Sequence, residues 1–248
     1  MKAYIVVKKI YFLASELLLS VSIFSMSTLC YANMTVYPME SGLDSNGTAQ
    51  VRVLSKSNET QYIKIVTKQI LRAATPKEYE VLAQPGLQDS LVVTPEKFGL
   101  AAGSQRIIRL ISLILPEKET VWRVYFEGVK SIENEEHDPN TVGSTIGINL
   151  VWGVLVHVPP RIPVIALSLN SATGEVTNNG TQRVVIKQIG FCSSVQQCRW
   201  EDHAANIYPD ESFYFSALKL VGNKHDAELK IRYVDWIKKS TAEYIIRK

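Results

Sequence analysis

From Ser144 to Pro160 the chain alternates almost without a break: Ile146, Ile148, Leu150, Trp152, Val154, Val156 and Val158 place an apolar side chain at every second position. Period two is the repeat of a β-strand with one face turned to a core. The intervening residues Gly147, Asn149, Val151, Gly153, Leu155 and His157 are small or polar in the first half and partly apolar in the second. At about 3.3 Å per residue the run spans roughly 40 Å or more, longer than the common strand of a globular domain. Such a run can serve in two ways. It can be a central strand buried on one face. It can also be an edge strand whose first half offers unpaired backbone groups and a row of apolar side chains to another protein's unfinished sheet. An exposed apolar edge invites aggregation, so one that persists needs a partner or a cap. Four side chains such as Ile146, Ile148, Leu150 and Trp152 would contribute on the order of 6–12 kcal/mol of apolar transfer, less the cost of ordering.

The rest of the chain is patterned to match. Apart from the N-terminal segment, no long stretch keeps a helical period. Short β-branched and aromatic runs bounded by Gly, Pro, Asn and Ser recur instead, which predicts an all-β fold. Strands are expected at Met34–Pro38, Ala49–Ser55, Gln61–Leu71, Leu91–Thr94, Arg106–Leu113, Val121–Val129 and Thr145–Val158, a set that suits an immunoglobulin-like sandwich. Trp122, Val124 and Phe126 should face its core. Ser131–Ser144, with Glu133, Glu135, Glu136 and Asp138, reads as an acidic loop before the long strand. Pro159, Pro160 and Pro163 mark a junction, since paired prolines cannot sit in a central strand. The expected division is residues 33–160 as an N-terminal domain and residues 161–248 as a smaller C-terminal β-sandwich. The latter should hold strands near Val164–Leu169, Glu175–Asn178, Arg183–Phe191, Ser212–Ala217 and Ala227–Trp236.

Residues 1–32 stand apart. Lys2, Lys8 and Lys9 precede an apolar stretch from Ile10 to Leu29, and Cys30-Tyr31-Ala32 supplies small residues at minus three and minus one. This is the layout of a secretory signal peptide cut after Ala32. A retained membrane anchor is the alternative, made costly by Glu16. Lipidation at Cys30 is another, disfavoured by Leu29. Export would leave Cys192 and Cys198 of the three cysteines. In an oxidising compartment this pair should close a small loop worth roughly 2–3 kcal/mol at best. A metal pair or a redox dithiol remains the alternative, although the spacing is not C-x-x-C and His203 alone lies near. A net charge of +3 with 21% charged residues gives no reason to expect a nucleic-acid partner. His137, His157, His203 and His225 show no metal-ligand spacing. G-x-S-x-G, H-E-x-x-H and glycine-rich phosphate loops are missing. Catalytic residues, metal and cofactor are therefore not expected.

Met34-Thr-Val-Tyr-Pro38, Val53-Leu-Ser-Lys-Ser57, Gln61-Tyr-Ile-Lys-Ile65, Glu78-Tyr-Glu-Val81, Leu91-Val-Val-Thr-Pro95, Arg106-Ile-Ile-Arg-Leu110 and Trp122-Arg-Val-Tyr-Phe-Glu127 together resemble the periplasmic pilus chaperones, most closely the alternate branch serving class 5 fimbriae such as the colonisation-factor pili. The resemblance covers essentially the whole mature chain. It implies two immunoglobulin-like domains in an L or boomerang, a periplasmic location, and fimbrial subunits, major and minor, held in one-to-one complexes. It implies that Thr145–Val158 fills the groove of a subunit lacking its last strand, with Ile146, Ile148, Leu150, Trp152 and Val154 as the donated side chains. An outer-membrane usher then exchanges that strand for the next subunit's N-terminal extension. The free chaperone could cap its apolar strand by self-association.

Other branches of the family grip the subunit's C-terminal carboxylate with a lysine on the last strand and an arginine on the first. Here those positions hold Trp152, Gly153 and Val154, and Thr35, Val36 and Tyr37. Arg123 is the first candidate substitute, because a guanidinium matches a carboxylate with two parallel donors. The alternative for it is a surface pairing with Glu127. His157 and Arg161 are further candidates, as are Lys187 and Arg232 from the second domain. Arg109 matches an arginine of the family's buried interdomain ion network, with Glu119 as its expected partner. A rival to the chaperone is a fimbrial subunit or adhesin, also exported and β-rich. The short segment before the first strand and the presence of two sandwiches count against it.

Overall fold

The computed structural model describes residues 33–84, 91–129, 150–194, 197–219 and 228–246. The signal segment, the loop Ser131–Ser144, and Ile146 and Ile148 lie outside them. In chain order the first sandwich comprises β1 (Met34–Tyr37), β2 (Glu40–Gly42), β3 (Thr48–Ser55), β4 (Gln61–Leu71), β5 (Tyr79–Leu82), β6 (Leu91–Thr94), β7 (Lys97–Leu100), β8 (Gln105–Ser112), β9 (Thr120–Val129) and β10 (Val151–Val158). One sheet runs β1-β3-β8-β6. The other runs β2-β10-β9-β4-β5, with β7 pairing the first half of β4. Alternation along β9 drives Trp122, Val124 and Phe126 inward, where they meet Val51, Val53, Ile108 and Leu110 of the opposite sheet in a single core. Each such side chain, fully buried, contributes about 1.5–3 kcal/mol.

The second sandwich comprises β11 (Leu167–Asn170), β12 (Glu175–Asn178), β13 (Val184–Ser194), β14 (Gln197–Ile207), β15 (Ser212–Tyr214), the one-turn helix α1 (Ser216–Lys219), β16 (Glu228–Asp235) and β17 (Ser240–Ile246). Its sheets run β11-β12-β15 and β14-β13-β16-β17, around a separate core that includes Val176, Ile186, Ile189, Leu218 and Ile231. Cys192 and Cys198 face each other across the β13–β14 hairpin and are disulfide-bonded. The strand expected through Ala217 ends at Tyr214, because Phe215 turns inward just before the helical turn that buries Leu218.

Five strands carry little sequence signal: β2, β5, β7, β14 and β17. All lie at sheet edges or beside a split edge, and three of them, β2, β5 and β7, are only three or four residues long, too short to show a period. β14 holds Arg199, Glu201, Asp202 and His203.

A third, small apolar cluster joins the two sandwiches. Ile70, Val121 and Leu155, on the outer face of the β10-β9-β4 sheet, pack with Ala73 and Tyr208. Backbone bonds reinforce the junction: Glu119 N donates to Thr181 O at 2.7 Å and Arg161 N donates to Pro116 O at 2.8 Å.

Candidate functional site

Strand β10 has two different halves. On one side it pairs with β9 along its whole length, Val151 opposite Glu127 through Val158 opposite Thr120. On the other side β2 covers it in parallel register at Leu155–His157. There Leu155 N donates to Met39 O and Leu43 N donates to His157 O, both at 2.9 Å. By the alternation of a ladder, Val151 and Gly153 turn their N–H and C=O groups to that same side, and among the described residues no strand pairs with them. Leu150 and Val151 are exposed, Trp152 is half-buried against the core, and its indole N–H has no partner among the described residues.

Val154 departs from the expected donated set. It is fully buried inside the first sandwich, because from this point on the inner face of β10 is turned to the chain's own core. Its side chain is therefore unavailable to another protein's groove.

The junction holds a buried polar cluster, and it corrects two sequence expectations. Glu119, buried, accepts from the backbone N–H of Arg183 at 2.7 Å and from Trp236 Nε1 at 2.9 Å. Its other oxygen lies 3.4 Å from Arg183 Nε and 3.5 Å from His157 Nδ1. Glu40 reaches the same group from β2, 3.0 Å from His157 Nε2 and 3.2 Å from an Arg183 terminal nitrogen. Burial alone would raise the Glu40 carboxyl, but His157 and Arg183 together hold it below its ordinary value. Burial pushes the Tyr208 hydroxyl up to about 12 against the pull of Arg183. Arg109 takes no part. Ile108 and Leu110 face the core, so Arg109 between them points to solvent and makes no ion pair among the described residues; Arg183 fills the position expected of it. His157 is likewise no carboxylate anchor. Its ring is enclosed, each nitrogen facing a glutamate. Arg161 is exposed at the rim of a cleft of about 850 Å³ beside this cluster, lined also by Glu40, Gly42, Arg183 and Trp236. Arg232 is engaged elsewhere, stacked 4.0 Å from the Trp200 ring centre and bonded to Gln188 and Glu243. Lys187 is exposed beside a β13 bulge.

Arg123 stands on the open face of the β10-β9-β4 sheet. Its register partners are Leu155 on one side and Lys68 on the other. Gly153 makes room for it, since a Cβ there would lie 3.3 Å from Arg123 Cδ and from the Tyr125 ring. Its partners are Glu80, bonded to one terminal nitrogen, and Glu78 at 3.6 Å from the other, not Glu127. Glu80 also faces the Tyr125 hydroxyl at 2.8 and 2.9 Å and Lys68 Nζ at 3.4 Å. Burial would raise the Glu80 carboxyl, but bonds from Tyr125, Arg123 and Lys68 hold it below its ordinary value.

Two sandwiches with separate cores, the first closed by a strand with a half-open edge, have the architecture of a pilus-assembly chaperone. The chain is 38% identical over 189 residues to a CFA/I fimbrial subunit of Escherichia coli, covering 73% of this chain and 79% of the relative. It is 32% identical over 203 residues to a CS1 fimbrial subunit of Escherichia coli, covering 79% and 85%. Among solved structures it is similar to the class 5 fimbriae chaperone CfaA, at 34% identity and a TM-score of 0.69, over 87% of this chain and 100% of that one. It is similar also to a chain of a chaperone–tip adhesin complex of CFA/I fimbriae biogenesis, at 35% identity and a TM-score of 0.69, over 87% and 99%. No family model matches. The chain belongs to the class 5 fimbrial chaperones. Its homologues have a non-enzymatic role, and homologous chaperones of the chaperone–usher systems are periplasmic.

Proposed function

We propose that this chaperone works in the periplasm after removal of residues 1–32, with residues 33–160 and 161–248 as its two domains. There it holds fimbrial subunits in one-to-one complexes until an outer-membrane usher takes them. The observation that carries the proposal is the open side of β10 at Val151–Val154, next to a segment whose alternation continues back through Leu150, Ile148 and Ile146. Backbone groups there can form one more ladder, and the apolar row can enter a subunit's groove. Trp152 closes the row at the point where the chaperone's own core begins. Arg123 holds the subunit's C-terminal carboxylate on the face beside Gly153, and no covalent step is involved.

Closure of the first sandwich by its own β10 favours the chaperone over a fimbrial subunit, which would lack that strand. Co-expression with a class 5 fimbrial subunit tests the proposal. Wild-type chain should co-purify in a soluble one-to-one complex and be missing from finished fibres, whereas Ile148→Asp and Leu150→Asp should stay folded and capture less, since each sends a charge into an apolar groove. Equal capture by the Asp variants would remove the donor strand.

A further inference from the structure

Arg123 is not a vacant cation. Arg123 and Lys68 carry two positive charges, and Glu80 and Glu78 return two negative ones within 3.6 Å. A subunit's carboxylate arriving at this cluster would leave three negative charges on two positive ones, in a place only partly open to screening. Like charges at such separations disfavour one another strongly, so one resident carboxylate has to leave.

Glu80 is the one placed to do so. It already occupies the position on Arg123 that a terminal carboxylate would take, and it shares the Tyr125 hydroxyl that could serve either acid. It stands on β5, a four-residue strand at the sheet edge, paired to β4 alone. Lys68, about one-third exposed, lies 3.4 Å away on the side opposite Arg123's strand neighbour β10. Glu78 is held differently, its second oxygen accepting from Ala74 N at 2.9 Å. We propose that Glu80 is a resident carboxylate that occupies Arg123 in the free chaperone and yields it to a subunit's C-terminal carboxylate. This inference rests on Arg123 being the anchor. The incoming acid takes Arg123 and Tyr125 while Glu80 swings out into water, so the cluster again sets two carboxylates against two cations. The consequence is selectivity. A lone carboxylate gains little by trading one acid for another, whereas a fimbrial subunit that also brings a groove for β10 can meet the cost.

N-acetylglycine, a single carboxylate with the chemistry of a chain terminus, tests this when titrated against the mature protein while the Arg123 Nε–Hε resonance is followed by NMR, with N-acetylglycinamide as control. Glu80→Gln should bind the acid about tenfold tighter than wild type, equivalent to about 1.4 kcal/mol. Glu80→Gln combined with Arg123→Ala should bind nothing, and the amide should bind none of the proteins. Equal affinity of wild type and Glu80→Gln, with loss on Arg123→Ala, would overturn the resident carboxylate and leave the anchor standing. Binding by the double variant at the level of Glu80→Gln would overturn the anchor itself.

Discussion

Arg183 and Arg123 each face two glutamates, and the two clusters differ in water rather than in chemistry. The Arg183 side chain is 9% exposed and its partner Glu119 fully enclosed, with His157 and the Trp236 indole completing the shell. Arg123 is 33% exposed and Glu80 18%, on a sheet face with one side open. In the first, Glu119 cannot leave without stranding a charge away from water, although Glu40 at the rim is 58% exposed. In the second, a departing carboxylate finds solvent at once. Burial thus divides the same ion pair into a joint that holds the sandwiches together and a seat whose occupant can change.

The sharpest way to break this division is at Glu119. Glu119→Ala leaves Arg183 and His157 with Glu40 alone and removes the acceptor for two N–H groups. Breaking one side of a buried pair costs about 3–5 kcal/mol, to be read as a lower urea midpoint. A loss under about 1 kcal/mol would mean that the joint is as replaceable as the open cluster.

Next in size is a steric probe of the same joint. A Cβ on Gly42 would sit 2.3 Å from Trp236 Cζ3, so Gly42→Ala forces the indole aside and away from Glu119. Overpacking of this kind costs about 1–3 kcal/mol. An unchanged melting temperature would show that Trp236 is free to move and that the joint is looser than its contacts imply.

Arg123→Ala is expected to change stability by less than about 1 kcal/mol, as for a partly exposed pair, while lowering capture of fimbrial subunits with intact C-termini. Truncating the subunit's terminus should then have no further effect. If truncation weakens wild type and variant alike, Arg123 is not the anchor. A stability loss as large as that of Glu119→Ala would erase the contrast between the clusters.

Much of this was legible in the chain, and the illegible part has a physical pattern. Alternation placed Trp122, Val124 and Phe126 inside and so put Arg123 on the opposite face. It also announced β10, and the paired cysteines announced the hairpin. Arg109 could have been set aside on the same grounds, since it lies between Ile108 and Leu110 and must point outward. The ionic partners were hidden differently. Glu80 and Arg123 are 43 positions apart, Glu119 and Arg183 64, and Glu119 and Trp236 117. Such pairs depend on which strands become neighbours, and β2 and β5, which deliver Glu40 and Glu80, are short edge strands with almost no periodic signal. Alternation fixes which way a side chain points, but sheet order fixes what it meets.

The smallest expected effect separates the clusters by proton. Glu40 and Glu80 are both held below their ordinary values by cationic neighbours. The folded protein therefore binds fewer protons at these sites than the unfolded chain. Each carboxylate contributes stability above its unfolded value of about 4.3, and that contribution fades as pH falls through the lower folded value. Each is worth less than about 1 kcal/mol given its partial exposure. Comparing wild type with Glu40→Gln and Glu80→Gln by urea unfolding at pH 7 and near pH 3 should show both differences shrinking on acidification. With the free chaperone, N-acetylglycine should erode the Glu80 difference at pH 7, because it competes for Arg123, and leave the Glu40 difference untouched, because the enclosed Glu119 keeps Arg183 paired. If the acid changed both alike, the two clusters would share one accessibility, and burial would not be what tells the joint from the seat.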